Sequence, residues 1–251
     1  MNINQNAQTR WIVGIVVALP EELATLTKIK LLRGGYTALN DNILVAYAGT
    51  GATNAESAAN LLVSKGAKAL ISWGCAAGLS DELKPGDLFI PKQVLSEQKQ
   101  ILDADKEWLQ HLQILLTNRM RLITDLLVES SVIVGSSMKK KRIHQETRAL
   151  ALDMETVAVF KTANRSNIPC LAIRAIADPV DMNLPLAVVN SLNTEGHVEI
   201  DKLLRYILRH PSEIPGLIKL GLHFNAAAKT LKIIAHQLND IINFKKQVGI
   251  Q

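Results

Sequence analysis

Between residues 11 and 178 the chain repeats one pattern: a short apolar run that does not alternate with polar residues, then a stretch with helical spacing. Runs at 12–19, 43–47, 69–73, 88–96, 132–134, 149–153 and 170–177 are rich in Val, Ile, Leu and Ala. A strand with one wet face alternates, so runs of this kind belong to strands buried on both faces. Helical stretches are expected at 21–30, 53–65, 106–127 and 155–166. Strand–helix repetition builds a largely parallel sheet with helices over both faces. The expected fold is therefore α/β, a three-layer sandwich around a central, mostly parallel mixed sheet. No repeat, low-complexity segment or Pro/Gly/Ser-rich linker divides the 251 residues, so a single domain over 1–251 is the simplest parse.

After Pro185 the texture changes. Residues 203–208 and 214–244 read as a helical C-terminal extension. Phe224, Ala227, Leu231, Ile234, Leu238 and Ile241 recur at three- and four-residue steps, with Lys229, Lys232 and His236 opposite. Such a stripe is first of all core packing; a membrane-surface face is the second reading. Residues 201–251 carry eight Lys or Arg against three Asp or Glu, which accounts for the whole net charge of +5. Positive charge confined to a tail is a poor footprint for nucleic acid. Three Trp, three Tyr and four Phe are also few for a base-stacking surface. Two cysteines exclude a disulfide scaffold, and the six histidines show no metal-ligand spacing, so no metal is expected. Residues 11–19 lack the flanks of a signal peptide, and no uncharged apolar run reaches ~18 residues. The expected place is the cytoplasm, at the inner membrane surface if the tail serves that purpose.

Polar and Gly-rich clusters fall just after the expected strands. These are Pro20-Glu21-Glu22, Gly49-Thr50-Gly51-Ala52, Gly74-Cys75-Ala76-Ala77-Gly78, Met154-Glu155 and Asp178. The carboxyl ends of parallel strands share one edge of an open α/β sheet, and ligands bind there. Glu155 and Asp178 would then meet as the ends of two parallel strands joined by one crossover. Two carboxylates in one dry pocket can have their pKa values pushed apart, leaving one as an acid. Each has a plainer reading: Glu155 as a first-turn acidic residue favoured by the helix dipole, Asp178 before Pro179 as a turn former. Gly49-Thr50-Gly51 opens onto a helix, where backbone N–H groups could hold an anion or a ribose hydroxyl. The Gly74–Gly78 segment reads as a tight turn, and Lys139–Arg142 as a solvated loop.

Taken in order, these clusters with Lys84-Pro85-Gly86-Asp87 and Arg174-Ala175-Ile176-Ala177-Asp178 resemble the purine nucleoside phosphorylase and methylthioadenosine/S-adenosylhomocysteine nucleosidase superfamily. Leu184-Pro185, Leu192-Asn193, Gly196, Leu208-Arg209-His210-Pro211 and Ala226-Ala227-Ala228 look like its hopanoid-associated phosphorylase branch. That branch is thought to release adenine from adenosylhopane, a lipid nucleoside. The resemblance implies Asp178 as the acid that protonates the purine and Glu22, or Glu21 one residue earlier, as the group that orients an attacking water. It implies substrate contacts at Glu155 on the ribose hydroxyls, Met154 on the sugar face, and Ala76, Ala77 and Gly78 beside the base. Thr50 and Gly51 join that set. Met138 would stand in for a stacking aromatic. No cofactor is implied beyond phosphate as a co-substrate, and Pro20-Glu21-Glu22 in place of the phosphate-binding elements favours water. Relatives commonly form dimers or larger rings, so a homo-oligomer is expected.

Overall fold

The computed structural model describes residues 11–117, 119–191 and 199–244. The first half runs β1 (Val13–Val17), α1 (Pro20–Leu23), β2 (Tyr36–Asn40), β3 (Ile43–Tyr47), α2 (Ala52–Ser64), β4 (Ala69–Gly78), β5 (Leu88–Phe89), β6 (Gln93–Leu95), β7 (Ile101–Asp103) and α3 (Lys106–Leu116). The second half runs β8 (Leu122–Ile123), β9 (Leu126–Glu129), α4 (Ser137–Thr147), β10 (Ala151–Asp153), α5 (Thr156–Arg165), β11 (Cys170–Asp178), α6 (Leu186–Val189), α7 (Ile200–Arg209), α8 (Ile214–Ala235) and α9 (Leu238–Ile242).

The strands join one mixed sheet whose main path is β2-β3-β1-β4-β10-β9-β6-β7, with β11 on the flank of β4 and β5 and β8 beyond it. Most pairings are parallel. Every residue of β1 and nearly every residue of β4 and β11 is buried, so both faces of the centre are covered. Helices α2 and α5 pack on each other; α2 lies against β1 and β3, and α5 against β4 and β11, while α8 runs along β11 and reaches α1. This is the expected layered α/β domain.

The boundaries differ from the sequence pattern for identifiable reasons. The apolar run 88–96 is two strands, because Pro91 has no N–H to give a ladder. The helix expected over 21–30 ends at Leu23. There the Thr25 hydroxyl donates to the Glu22 carbonyl at 2.6 Å and receives the Trp73 indole N–H at 2.9 Å, so Thr25 serves the core instead of a longer helix. The helix expected over 106–127 ends at Leu116, and the following apolar residues pair as β8 and β9. Residues 132–134 form no strand; they lie between β9 and α4. Gly74–Gly78 is not a turn but the second half of β4, and Lys139–Arg142 is not a loop but part of α4.

The C-terminal helices are part of the core. Ala227, Leu231, Ile234, Leu238 and Ile241 are buried, and Phe224 is partly so. Phe244 stacks on Trp108 with ring centroids 4.8 Å apart, and the Trp108 indole donates to the Ile241 carbonyl at 2.7 Å. The apolar stripe is thus spent inside the domain and does not face a membrane. No described helix is long and apolar enough to cross one.

Candidate active site

The end of β4 organises the site. Ala77 pairs with Leu152 of β10 and with Asp178 of β11. A register shift between Ile176 and Asp178 marks the last step of β11. Because β10 runs antiparallel to β4 and β11 runs parallel to it, the parallel crossover expected for Glu155 and Asp178 is not what joins them. They meet because one strand end serves two partners.

Between these ends lies a cavity of about 280 Å³. Glu22, Thr50, Ala76, Ala77, Met154, Glu155 and Asp178 line it, together with Asp153 and Cys75. Its apolar wall comes from Val132, Ile133, Val134, Leu184, Leu220 and Phe224. Three expected contacts do not line it. Gly78 packs toward Leu83, Ile176 and Pro179. Met138 is 78% exposed and lines a separate outer groove with Ser137 and Arg142, because α4 turns its side chain away from the cavity. Gly51 acts through its backbone: its N–H donates to Glu155 Oε1 at 2.7 Å.

Glu22 is held by three backbone donors. Oε2 accepts from Ala18 and Leu19 at 3.1 and 3.0 Å, and Oε1 accepts from Cys75 at 2.8 Å. Burial pushes its carboxyl above the ordinary range, against the pull of Arg174 and those N–H groups. Gly74 makes this arrangement possible. A Cβ there would sit 2.4 Å from Glu22 Oε1 and 2.6 Å from Arg174 Nη1. Glu155 ends the approach to α5, and burial, with Asp153 next, pushes its pKa up to about 7.

Behind the carboxylates stand the cations. Arg174 Nε lies 2.7 Å from Asp153 Oδ2, and its Nη2 donates to Ser72 Oγ at 2.6 Å and Thr156 Oγ1 at 2.8 Å. The Thr156 hydroxyl in turn donates to Asp153. Lys140, with a fully buried side chain, reaches Asp178: Nζ lies 2.6 Å from Oδ1 and donates to the Pro179 carbonyl at 2.7 Å. Burial raises the Asp178 pKa and the Lys140 ammonium draws it back. Sequence reasoning missed Lys140, since a run of Lys139, Lys140, Lys141 and Arg142 looks uniformly wet. The only signal was helical phase, which sends one of four successive residues inward.

The sequence profile of the phosphorylase superfamily matches residues 12–205. The chain belongs to the phosphorylase superfamily. A 5′-methylthioadenosine/S-adenosylhomocysteine nucleosidase of Buchnera aphidicola subsp. Baizongia pistaciae is 26% identical over 200 residues, 68% of this chain and 79% of that one. A nucleosidase of the same name from Staphylococcus aureus is 23% identical over 196 residues, 66% of this chain and 86% of its own. Among solved folds, the Helicobacter pylori nucleosidase of that name, complexed with a substituted pyrrolidin-3-ol, superposes with a TM-score of 0.68 at 16% identity, covering 93% of this chain and 98% of its own. Futalosine hydrolase of Helicobacter pylori gives the same TM-score and identity, covering 94% and 99%. The superfamily match ends within α7, so α8 and α9, which complete the cavity wall and the core, lie outside the matched segment.

Proposed function

We propose that this chain hydrolyses the N-glycosidic bond of an adenine nucleoside, and that its substrate is adenosylhopane. It is an enzyme of the nucleoside phosphorylase and nucleosidase class. The observation that carries the reading is the convergence of Glu22, Glu155 and Asp178 on one cavity. In the proposed step the C1′–N9 bond breaks and its electron pair passes to the purine. Asp178 gives a proton to N7, so the base leaves neutral. Glu155 as carboxylate accepts from the ribose hydroxyls and favours the cationic sugar. Water adds to C1′ and its proton passes to Glu22, whose raised pKa suits a base.

Water is favoured over phosphate by charge. Among the described residues lining the cavity there are four carboxylates and no Lys, Arg or His. Arg174 is buried and committed to Asp153, Ser72 and Thr156. A dianion would meet the carboxylates first.

The lipid nucleoside is favoured by what surrounds the cavity. Leu184, Leu220 and Phe224 form its apolar wall. Next to them, α6, α7 and the start of α8 leave Leu186, Val189, Leu204, Leu208, Ile214, Ile218 and Leu222 exposed. Lys202, Arg205, Arg209 and Lys219 belong to the same helices. Apolar side chains with basic neighbours fit an anionic bilayer surface, from which a lipid substrate must be drawn. A second reading, a nucleosidase for methylthioadenosine or S-adenosylhomocysteine, is favoured by the names of the curated relatives.

Product analysis separates the readings. Adenine release from adenosylhopane with a free ribosyl product in phosphate buffer is the expected result. A 1-phosphorylated product would mean phosphorolysis, and turnover of methylthioadenosine alone would favour the second reading. A chain that binds nucleosides and releases no base from any would be a binding protein. Asp178→Asn should lower kcat by about 10²–10⁴; an unchanged rate would remove the acid role.

A further inference from the structure

We propose that Lys140 is a positioning residue for the reaction, pinning one oxygen of Asp178 so that the other faces the base, and neutralising the carboxylate left once the proton has gone. This rests on the acid role of Asp178 given above. Three observations carry it. Lys140 is fully buried, an unusual state for a lysine, which stays inside a protein only when its charge is answered. Its Nζ has two acceptors, Asp178 Oδ1 and the Pro179 carbonyl, at 2.6 and 2.7 Å, so the ammonium is fixed in direction. Asp178 also lines the substrate cavity, whereas Lys140 does not; the ammonium reaches the nucleoside only through the carboxyl group.

The chemistry follows from that placement. Before cleavage Asp178 carries a proton. As C1′–N9 breaks, the proton moves to purine N7 and Asp178 becomes an anion. In a buried site that anion is costly, and an ammonium already aligned on Oδ1 stabilises it without reorganisation. Lys140 keeps its own protons throughout, and solvent returns the proton to Asp178 after adenine leaves. The other charged groups near the pair are few. Burial pulls the Lys140 pKa below its ordinary value, with Asp178 and then Asp181 acting to hold its charge; Asp181, just after β11, also opposes Lys140 at Asp178. On α8, His223 feels both Lys219 and Asp181. Neither α8 group contacts Asp178 in the way Lys140 does.

The arrangement makes the acid stronger at some cost to how long it stays protonated. Removing the ammonium should therefore weaken the acid and raise its pKa. The test is a pH–rate series of adenine release by the full chain, on whichever adenine nucleoside the wild type turns over. Lys140→Met is expected to lower kcat about 10- to 100-fold with KM changed less than about threefold. The limb of the profile that vanishes in Asp178→Asn should move to higher pH by about one unit. Lys140→Arg should keep that limb near its wild-type position. In an Asp178→Asn background, Lys140→Met should cost nothing further, since its route of action is gone. An equal loss in both backgrounds, or an unmoved limb in folded Lys140→Met, would overturn the proposal. Should the Lys140 variants not fold, lysine Nζ resonances in Asp178→Asn decide: the ammonium should titrate at lower pH than in wild type, and an unchanged titration counts against the pair. Loss of activity in Asp178→Asn with no effect of Lys140→Met sinks this inference alone. Full activity in Asp178→Asn sinks the acid role, and this inference falls with it.

Discussion

Glu155 is the residue at which function and stability pull apart. Its carboxyl is wanted as an anion beside a developing sugar cation, yet burial holds its pKa up to about 7 against an ordinary 4.5. Between those two values the folded chain binds a proton that the unfolded chain releases. Stability therefore falls as pH rises through this window, and the loss is complete above about 7. Glu155→Gln keeps an acceptor for the Gly51 N–H and removes the buried charge. Its Tm should exceed that of the wild type at pH 8 by a few degrees, since about 1 kcal/mol moves Tm by roughly 2–4 °C in a chain of this size. The difference should vanish near pH 4, as thermal melts at the two pH values would show. The same variant should lose adenine release by about 10²-fold or more. In the wild type kcat/KM should fall as pH drops below about 7, the side on which Glu155 gains its proton. A variant no more stable than wild type at pH 8 would mean that the Gly51 bond and Arg174 already offset the burial.

At the scale of elements, the second half of β4 decides the site. It continues as strand through Gly74-Cys75-Ala76-Ala77-Gly78 because each residue is small enough to let neighbours close over it. Gly74→Ala places a methyl within 2.4 Å of Glu22 Oε1, and Glu22 cannot swing away without losing three backbone bonds. The expected outcome is a fall in kcat of about 10- to 100-fold with the fold retained, checked by adenine release beside circular dichroism. The same strand shows what the sequence could and could not tell. Runs buried on both faces made the sheet legible, and the clusters holding Glu22, Glu155 and Asp178 stood out because they follow such runs, while the choice of Glu22 over Glu21 rested on the family resemblance. The joint of Glu155 and Asp178 was not legible, since strand direction depends on pairing at Ala77, which no local pattern encodes. Lys140 stayed hidden for a related reason. Its neighbours Lys139, Lys141 and Arg142 are wet, and only the acceptors at Asp178 and Pro179, far away in the chain, hold one lysine inward. Gly78 and Met138 were placed beside the base by resemblance, and a pleat and a helix phase turn them elsewhere.

For the whole molecule, the C-terminal helices have two faces with different duties. The inner face of α8 closes the core, and Leu231 is fully buried there. Leu231→Ala should cost about 2–5 kcal/mol in a denaturant melt. Removing residues 214–251 would take away Leu231, Ile234, Ile241 and the Phe244 stack on Trp108, so truncation tests the core before it tests any membrane. The outer face is the one free to meet a partner. Leu208 on α7 is 83% exposed, and Ile218 on α8, two residues before Leu220 of the cavity wall, is 60% exposed. If that face draws a lipid nucleoside from a bilayer, the intact chain should float with anionic vesicles and detach as salt rises past the screening range. Leu208→Glu with Ile218→Glu should abolish flotation and slow turnover of vesicle-borne adenosylhopane. Turnover of a water-soluble adenine nucleoside, if the enzyme accepts one, should change little, because neither side chain lines the cavity. Light scattering on the same pair of proteins supplies the opposing result. If the wild type is an oligomer that the double variant splits, and neither floats, the exposed leucines join copies of the chain and the substrate arrives from water.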